Sequence, residues 1–338
     1  MPFKDILGQE HALKSLQNAL VKQRPSHAYM FVGPDGVGKQ KTAVAFAQAL
    51  NCKKTVYDGC GICNTCLRIE KGIHPDVFII SPDGASIKIK QIRELIRDIN
   101  LKPYEADKRV FIIREAHKMT DEASNCLLKT LEDPPLYGVI ILLTTNQHLF
   151  LPTVTSRAQV IKFKPLPRKI VEDYLISNLK KTSEEARIIS VFSKGSLEMA
   201  VKLAHSEEFK EIREEVIKTA NQLRKTMEDY PFFLGEKFQQ NREKALIFLD
   251  MFLLWFRDLM VFKAANTETL NINIDKLEEI RTQTETLQLR ELLKIIDDIK
   301  KTKKAVESNA NISLALTQML LKTQEVLKKG VHSSRSEI

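Results

Sequence analysis

The sequence predicts a chain in two parts, an α/β domain built on a mainly parallel sheet and an all-α remainder. Three observations predict it. Short apolar runs at 28–32, 77–80, 110–113, 139–143 and 159–163 alternate with helical patterns at about 9–23, 38–50, 89–100 and 120–132, the rhythm of strands covered by helices on both faces. The run Gly33-Pro-Asp-Gly-Val-Gly-Lys39 stands between the first strand and the helix that follows it, where a phosphate-cradling loop belongs. Beyond Lys164-Pro-Leu-Pro167, a stiff break, almost every segment carries helical periodicity with charged faces.

Taken in order, Ala28-Tyr-Met-Phe-Val32 reads as a buried strand entering the loop, and Thr42 to Leu50 as a helix leaving it. In a phosphate site the glycines, here Gly33, Gly36 and Gly38, let backbone N–H groups converge on the phosphates, and Lys39 reaches the terminal ones. The next residue should supply a hydroxyl to Mg²⁺; it is Gln40. A second metal anchor, an Asp at the end of a neighbouring strand, is expected after Val110-Phe-Ile-Ile113, where Arg114-Glu115 stands instead. A guanidinium at ~4 Å repels a divalent ion by roughly 8 kcal/mol at an effective dielectric near 20. Both losses fall on the metal, so Mg²⁺ binding is not expected and ATP or ADP binding is in doubt.

At 338 residues the chain is long enough for two or three domains. Its most hydrophobic segment, Phe248 to Phe262, is broken by Asp250, Arg257 and Asp258, so it reads as a buried helix of a bundle around Trp255 rather than a membrane span. The N-terminus lacks the apolar core of a signal peptide, which places the protein in the cytoplasm. A net charge of +9 permits contact with nucleic acid without identifying it.

Four of the five cysteines, Cys52, Cys60, Cys63 and Cys66, fall in one short stretch. In a cytosolic chain two overlapping C-x-x-C steps with a fourth cysteine upstream read as a tetrahedral, structural Zn²⁺ site with four thiolates. Gly59 and Gly61 give the backbone freedom a knuckle needs. His74 is expected to start the next strand rather than to bind metal, and Cys126 to be a small core residue.

Several fragments, in order and spacing, resemble the clamp-loader subunits of the bacterial DNA polymerase III holoenzyme, of the AAA+ class. They are Ile6-Leu-Gly-Gln9, His27-Ala-Tyr-Met-Phe31, the four-cysteine insert, Arg109-Val-Phe-Ile-Ile-Arg-Glu-Ala-His-Lys-Met119, Ala123 to Pro135, and Leu151-Pro-Thr-Val-Thr-Ser-Arg157. The resemblance covers essentially the whole chain. It implies a P-loop AAA+ domain at 1–165 with a zinc knuckle insert at 52–66, a helical lid at 166–206, and a helical collar for oligomerisation at 207–330. A disordered tail is expected at 331–338. It further implies that Thr145 occupies the position that senses the terminal phosphate, that Glu198 stands where motor subunits carry a lid arginine, and that Arg157 is an arginine finger offered to a neighbour's site.

The implied role is a non-hydrolysing stator that helps load a sliding clamp onto primer-template DNA. Its implied partners are gamma/tau and delta subunits in a hetero-oligomeric ring, together with the clamp and DNA, and no membrane. Two rival readings are an active gamma/tau-like ATPase, favoured by the glycine loop and Lys39, and a zinc-dependent DNA-binding module, favoured by the cysteines and the charge.

Overall fold

The computed structural model describes residues 2–55, 57–225, 229–265 and 267–333. The chain divides into two compact units, one formed by 1–179 with 190–201 and the other by 180–189 with 202–338. This division shares the stretch 166–206 between them.

The first unit opens with a 3-10 turn, Phe3–Asp5, and helix α1 (Glu10–Val21). Strand β1 (Ala28–Val32) leads through the glycine loop to α2 (Lys39–Asn51), and α3 (Asn64–Glu70) follows the cysteine-rich segment. Then come β2 (Val77–Ile80), α4 (Ile89–Ile99), β3 (Arg109–Ile113), α5 (Asp121–Glu132), β4 (Gly138–Thr144), the short α6 (Pro152–Thr155) and β5 (Gln159–Lys162). All five predicted strands form, in one parallel sheet of order β2-β3-β4-β1-β5.

Because side chains alternate across a strand, each strand feeds both faces. Tyr29, Phe31, Val110, Ile112, Ile141 and Leu143 pack with Phe46 and Leu16 on one face. Met30, Phe111, Ile113, Ile140 and Leu142 pack with Ile92, Leu95 and Leu127 on the other. The consequence is positional: β1 lies between β4 and β5, so the loop leaving its carboxyl end opens into the crevice where α/β sheets bind ligands.

At the opposite end of the sheet a buried carboxylate fixes the entry to β3. Asp76, wholly inaccessible to solvent, accepts backbone N–H bonds from Tyr104, Glu105 and Ala106 at 2.8, 3.0 and 3.1 Å. Burial alone raises its pKa, but those three bonds, helped by the Arg109 charge, outweigh it and hold the carboxyl below its ordinary 3.8.

Helices α7 (Arg168–Leu179), α8 (Ser183–Phe192) and α9 (Leu197–Ala204) follow the break at 164–167. The second unit continues with α10 (Glu207–Arg224), α11 (Tyr230–Phe238), α12 (Arg242–Ala265), α13 (Leu277–Glu285), α14 (Leu289–Glu307) and α15 (Ile312–Ser333). Helix α12 is its core: Phe248, Phe252, Trp255, Phe256 and Leu259 are buried, and the helix packs on α10, α13 and α14. The Trp255 indole N–H finds an acceptor in Gln283 Oε1 at 3.1 Å, as a buried indole must. Helix α15 runs through 331–333, the start of the expected disordered tail; the rest of that tail, 334–338, lies outside the described residues. No helix among the described residues is long and apolar enough to cross a membrane.

Asp76→Ala leaves three buried N–H groups without an acceptor and is expected to destabilise the α/β unit by about 3 kcal/mol at pH 7. Since the folded pKa lies below the unfolded one, the wild-type advantage is complete above the ordinary carboxylate value and disappears as the pH falls through the folded pKa. Urea titrations of both proteins from pH 7 to pH 3 should show their stabilities converge; a constant gap would contradict the assignment.

Candidate functional site: the P-loop cavity and the cysteine knuckle

The glycine loop is tied to the sheet at its first residue, where Gly33 N–H donates to the Thr144 carbonyl at 3.1 Å. A Cβ on Gly33 would lie 2.5 Å from the Phe163 carbonyl oxygen, so only glycine fits. Gly36 and Gly38 take the left-handed conformation, with φ of 72° and 101°. Lys39 is buried. Its ammonium donates to the Gly33 and Pro34 carbonyls at 2.5 and 2.6 Å and meets Asp35 Oδ1 at 3.4 Å. Burial pushes its pKa down, while the Asp35 and Glu198 charges act the other way.

The loop opens into a cavity of about 790 Å³. Gly36, Gly38, Lys39 and Gln40 form its floor, and Arg114, Glu115, His117, Thr144 and Thr145 come from the carboxyl ends of β3 and β4. Thr145, expected to sense a terminal phosphate, lines the cavity, but the neighbouring Thr144 is the more fixed. Its buried hydroxyl donates to the Asn146 carbonyl at 3.1 Å and lies 3.4 Å from His117 Nδ1. Arg114 is exposed on the wall. Glu115 is ion-paired with Lys118, a contact that lowers its pKa. Its φ of 46° is a strained left-handed turn.

The wall opposite the sheet comes from the start of α9. Leu197 N–H and Glu198 N–H both donate to the Gly36 carbonyl, at 3.0 and 3.4 Å, and Glu198 faces the cavity. One further part of the wall the sequence did not disclose: Asp5, Ile6 and Leu7 from the N-terminal turn, and Glu70 from the end of α3. Only Ile6 and Leu7, within Ile6-Leu-Gly-Gln9, carried a signal.

Arg157 is not on this cavity. It follows α6 with a side chain about one-third exposed, and its guanidinium donates to the Thr153 carbonyl at 2.8 Å and to Glu132 Oε1 at 2.8 Å. The structure thus gathers Gly33, Gly36, Gly38, Lys39 and Thr145, and sets Arg157 apart.

The four cysteines come together as their spacing predicts, with all four sulfurs within 4.8 Å of one another. A four-thiolate Zn²⁺ site has Zn–S bonds of about 2.3 Å, which puts neighbouring sulfurs about 3.8 Å apart. The arrangement suits a metal ion of this kind. Backbone N–H groups already point at the sulfurs: Cys63 N–H at Cys60 Sγ, 3.3 Å, and Cys66 N–H at Cys63 Sγ, 3.4 Å. At Cys52, burial pushes the thiol up but is outweighed by bonds from the Thr55 hydroxyl and from backbone N–H groups, which bring its pKa to about 6. At Cys60 the Ile62 N–H leads a similar lowering, whereas burial pushes Cys66 up. His74 takes no part; its Nδ1 accepts from Asp76 N–H at 3.1 Å and its Nε2 faces Glu105 at 3.3 Å. Cys126 packs on the sheet from α5.

Residues 8–167 match the family described as "DNA polymerase III, delta subunit", and residues 207–325 match its C-terminal counterpart. The DNA polymerase III subunit delta' of Bacillus subtilis is 33% identical over 320 residues, covering 94% of this chain and 96% of that one. Subunit tau of the same organism is 31% identical over 89% of this chain, which spans 57% of tau. Among solved structures, a gamma subunit-related protein of Thermotoga maritima aligns over 94% of this chain and 99% of its own, with 18% identity and a TM-score of 0.42. The Bacillus subtilis DNA clamp loader delta protein aligns over the same shares, with 15% identity and a TM-score of 0.36.

The contact between the loop and α9 can be tested directly. A Cβ on Gly36 would sit 2.0 Å from Ser196 Oγ and 2.9 Å from Glu198 Cβ, on a backbone with positive φ. Gly36→Ala is expected to destabilise the unit by about 1–2 kcal/mol and to raise hydrogen exchange in α9, with or without nucleotide present. Unchanged protection of 196–204 would show that the loop is not held by this helix.

Proposed function

The chain belongs to the delta-prime family of DNA polymerase III subunits, and from that membership we propose that it is a non-hydrolysing stator of a clamp loader. In that role it is one member of a hetero-oligomeric ring with gamma/tau and delta subunits, acts in the cytoplasm, and helps place a sliding clamp on primer-template DNA. The domains would follow that division of labour, with the P-loop AAA+ domain at 1–165, a lid at 166–206 and a collar at 207–330. The observation that carries the reading is the pairing of an intact glycine cradle with lost metal chemistry. Gln40 and Arg114 line the cavity where a hydroxyl and a carboxylate would hold Mg²⁺, and Glu198 faces it from α9.

Arg157 is the residue we assign to a neighbour's active site. It is the cation of Ser156-Arg157 and stands away from its own cavity, which supports a role in trans. Its guanidinium would stabilise the charge that develops on a transferred phosphoryl group. Within the chain's own cavity, loop backbone N–H groups and the exposed Arg114 would meet a phosphate without Mg²⁺, while Lys39 would first have to leave the loop acceptors it holds.

We assign Cys52, Cys60, Cys63 and Cys66 to one structural Zn²⁺. When bound, the ion cross-links the knuckle; the cysteines leave no open position for catalysis. Metal analysis of protein purified without chelator should give one zinc per chain, and Cys63→Ser should lower that content. Zinc-free wild-type protein would refute the assignment.

The isolated chain is expected to turn over ATP at background, with Lys39→Ala making no difference. In the reconstituted complex, Arg157→Ala should leave assembly and melting temperature nearly unchanged and lower DNA-stimulated ATP hydrolysis and clamp loading. A trans arginine contributes ~10³–10⁵ in rate at the one site it serves. Turnover by the isolated chain that Lys39→Ala abolishes would favour an active motor instead. Wild-type loading by the Arg157→Ala complex would remove Arg157 from the mechanism.

A further inference from the structure

The cysteine knuckle is built into the wall of the P-loop cavity by three separate attachments. The first is to the P-loop helix: Gln48 of α2, wholly buried, donates its Nε2 to the Cys66 carbonyl at 2.7 Å, and a Cβ on Gly59 would lie 2.7 Å from Gln48 Cβ. The second is to the core, since Ile69 of α3 packs in the same apolar cluster as Phe3, Val37 and Phe46. The third reaches the N-terminus. Asp58, between Cys52 and Cys60, accepts the Phe3 N–H at 2.8 Å and the Gly59 N–H at 2.7 Å through the same oxygen.

These attachments matter because of what they hold. Phe3 is 1% exposed and begins the turn that leads into Asp5, Ile6 and Leu7, all on the cavity wall. Glu70, the last residue of α3, lines the same cavity. One side of the P-loop cavity is therefore made of segments whose positions depend on the knuckle. The Thr55 hydroxyl closes the circuit, its one proton lying within reach of both Cys52 Sγ, at 3.2 Å, and the Asp58 carbonyl.

We propose that a metal ion in the four-cysteine knuckle fixes the N-terminal wall of the P-loop cavity, so that loss of the metal releases residues 3–7 through Asp58 and opens that side of the cavity. The inference rests on the metal assignment above but not on the stator role. A segment with few anchors is the first to open, and for residues 3–7 the Phe3 N–H bond to Asp58 is a long-range polar tie. Bonds to a carboxylate are charge-assisted, and losing one changes a local opening equilibrium at least about tenfold.

Hydrogen exchange of the full-length chain tests this in three states: metal-bound, stripped with chelator, and Asp58→Ala. Metal content is measured alongside in all three. Exchange at residues 3–7 should rise at least about tenfold in both the stripped protein and Asp58→Ala, the latter keeping its metal, while β1, β4 and the helices α10–α15 stay protected. A purified chain without metal would refute the zinc assignment and this inference together, leaving the stator role untouched. Four other outcomes overturn the inference alone: loosening confined to 53–71 on stripping, loosening of the whole α/β unit, a stripped protein that loosens at 3–7 while Asp58→Ala does not, and the reverse.

Discussion

A buried ammonium needs an acceptor for each of its three N–H groups, and Lys39 meets Gly33 O, Pro34 O and Asp35 Oδ1 within its own loop. The rest of the site follows from that satisfaction. A phosphate would have to draw the ammonium away from acceptors it already holds, and would do so under the opposing field of Glu198. The first free amides of α9 are engaged by the Gly36 carbonyl. Loop and helix thus form a joint that is complete without nucleotide, as a rigid scaffold requires.

What was legible in the sequence was whatever is encoded locally. The five strands declared themselves by apolar runs, because both faces of the sheet are buried and leave no alternation to misread. The knuckle was legible from spacing, since a C-x-x-C step brings two sulfurs onto one turn. Gln40 and Arg114 were legible because a P-loop fixes what each neighbour must do. The cavity's far wall was hidden, because Asp5 and Glu70 are 65 positions apart in the chain and are brought to one wall by tertiary packing, with Phe3 and Ile69 in one apolar cluster. Asp76 was hidden for a similar reason: a carboxylate satisfied by backbone N–H groups 28 to 30 residues downstream leaves no pattern. Thr144 and Thr145 show the limit of register. Adjacent identical residues at a strand end cannot be told apart until one hydroxyl turns inward.

The knuckle shows how a small insert becomes part of a core. Its segment is rich in glycine and cysteine and has little apolar mass of its own, so it cannot fold by burial alone. Gln48 bridges this gap with a single side-chain amide that is buried on the helix side and bonded to backbone on the knuckle side. Replacing it with a hydrophobe would leave the Cys66 carbonyl without that donor.

Arg157 presents the opposite problem, a cation that must be held without being spent. Its partner Glu132 is half exposed and Arg157 itself one-third exposed, so the pair contributes only about 0–1 kcal/mol once water screens it. A guanidinium bond to a phosphate oxygen is worth roughly 1.5–3 kcal/mol. In the proposed trans role, giving up Glu132 therefore costs at most the small contribution of that screened pair. The Thr153 carbonyl can remain bonded throughout, since the planar fork carries donors on more than one edge. Lysine would have to choose between the two partners, having one compact ammonium on a flexible stem. The geometry that orients the guanidinium within its own chain thus does so at little cost, which is compatible with the trans role proposed for Arg157.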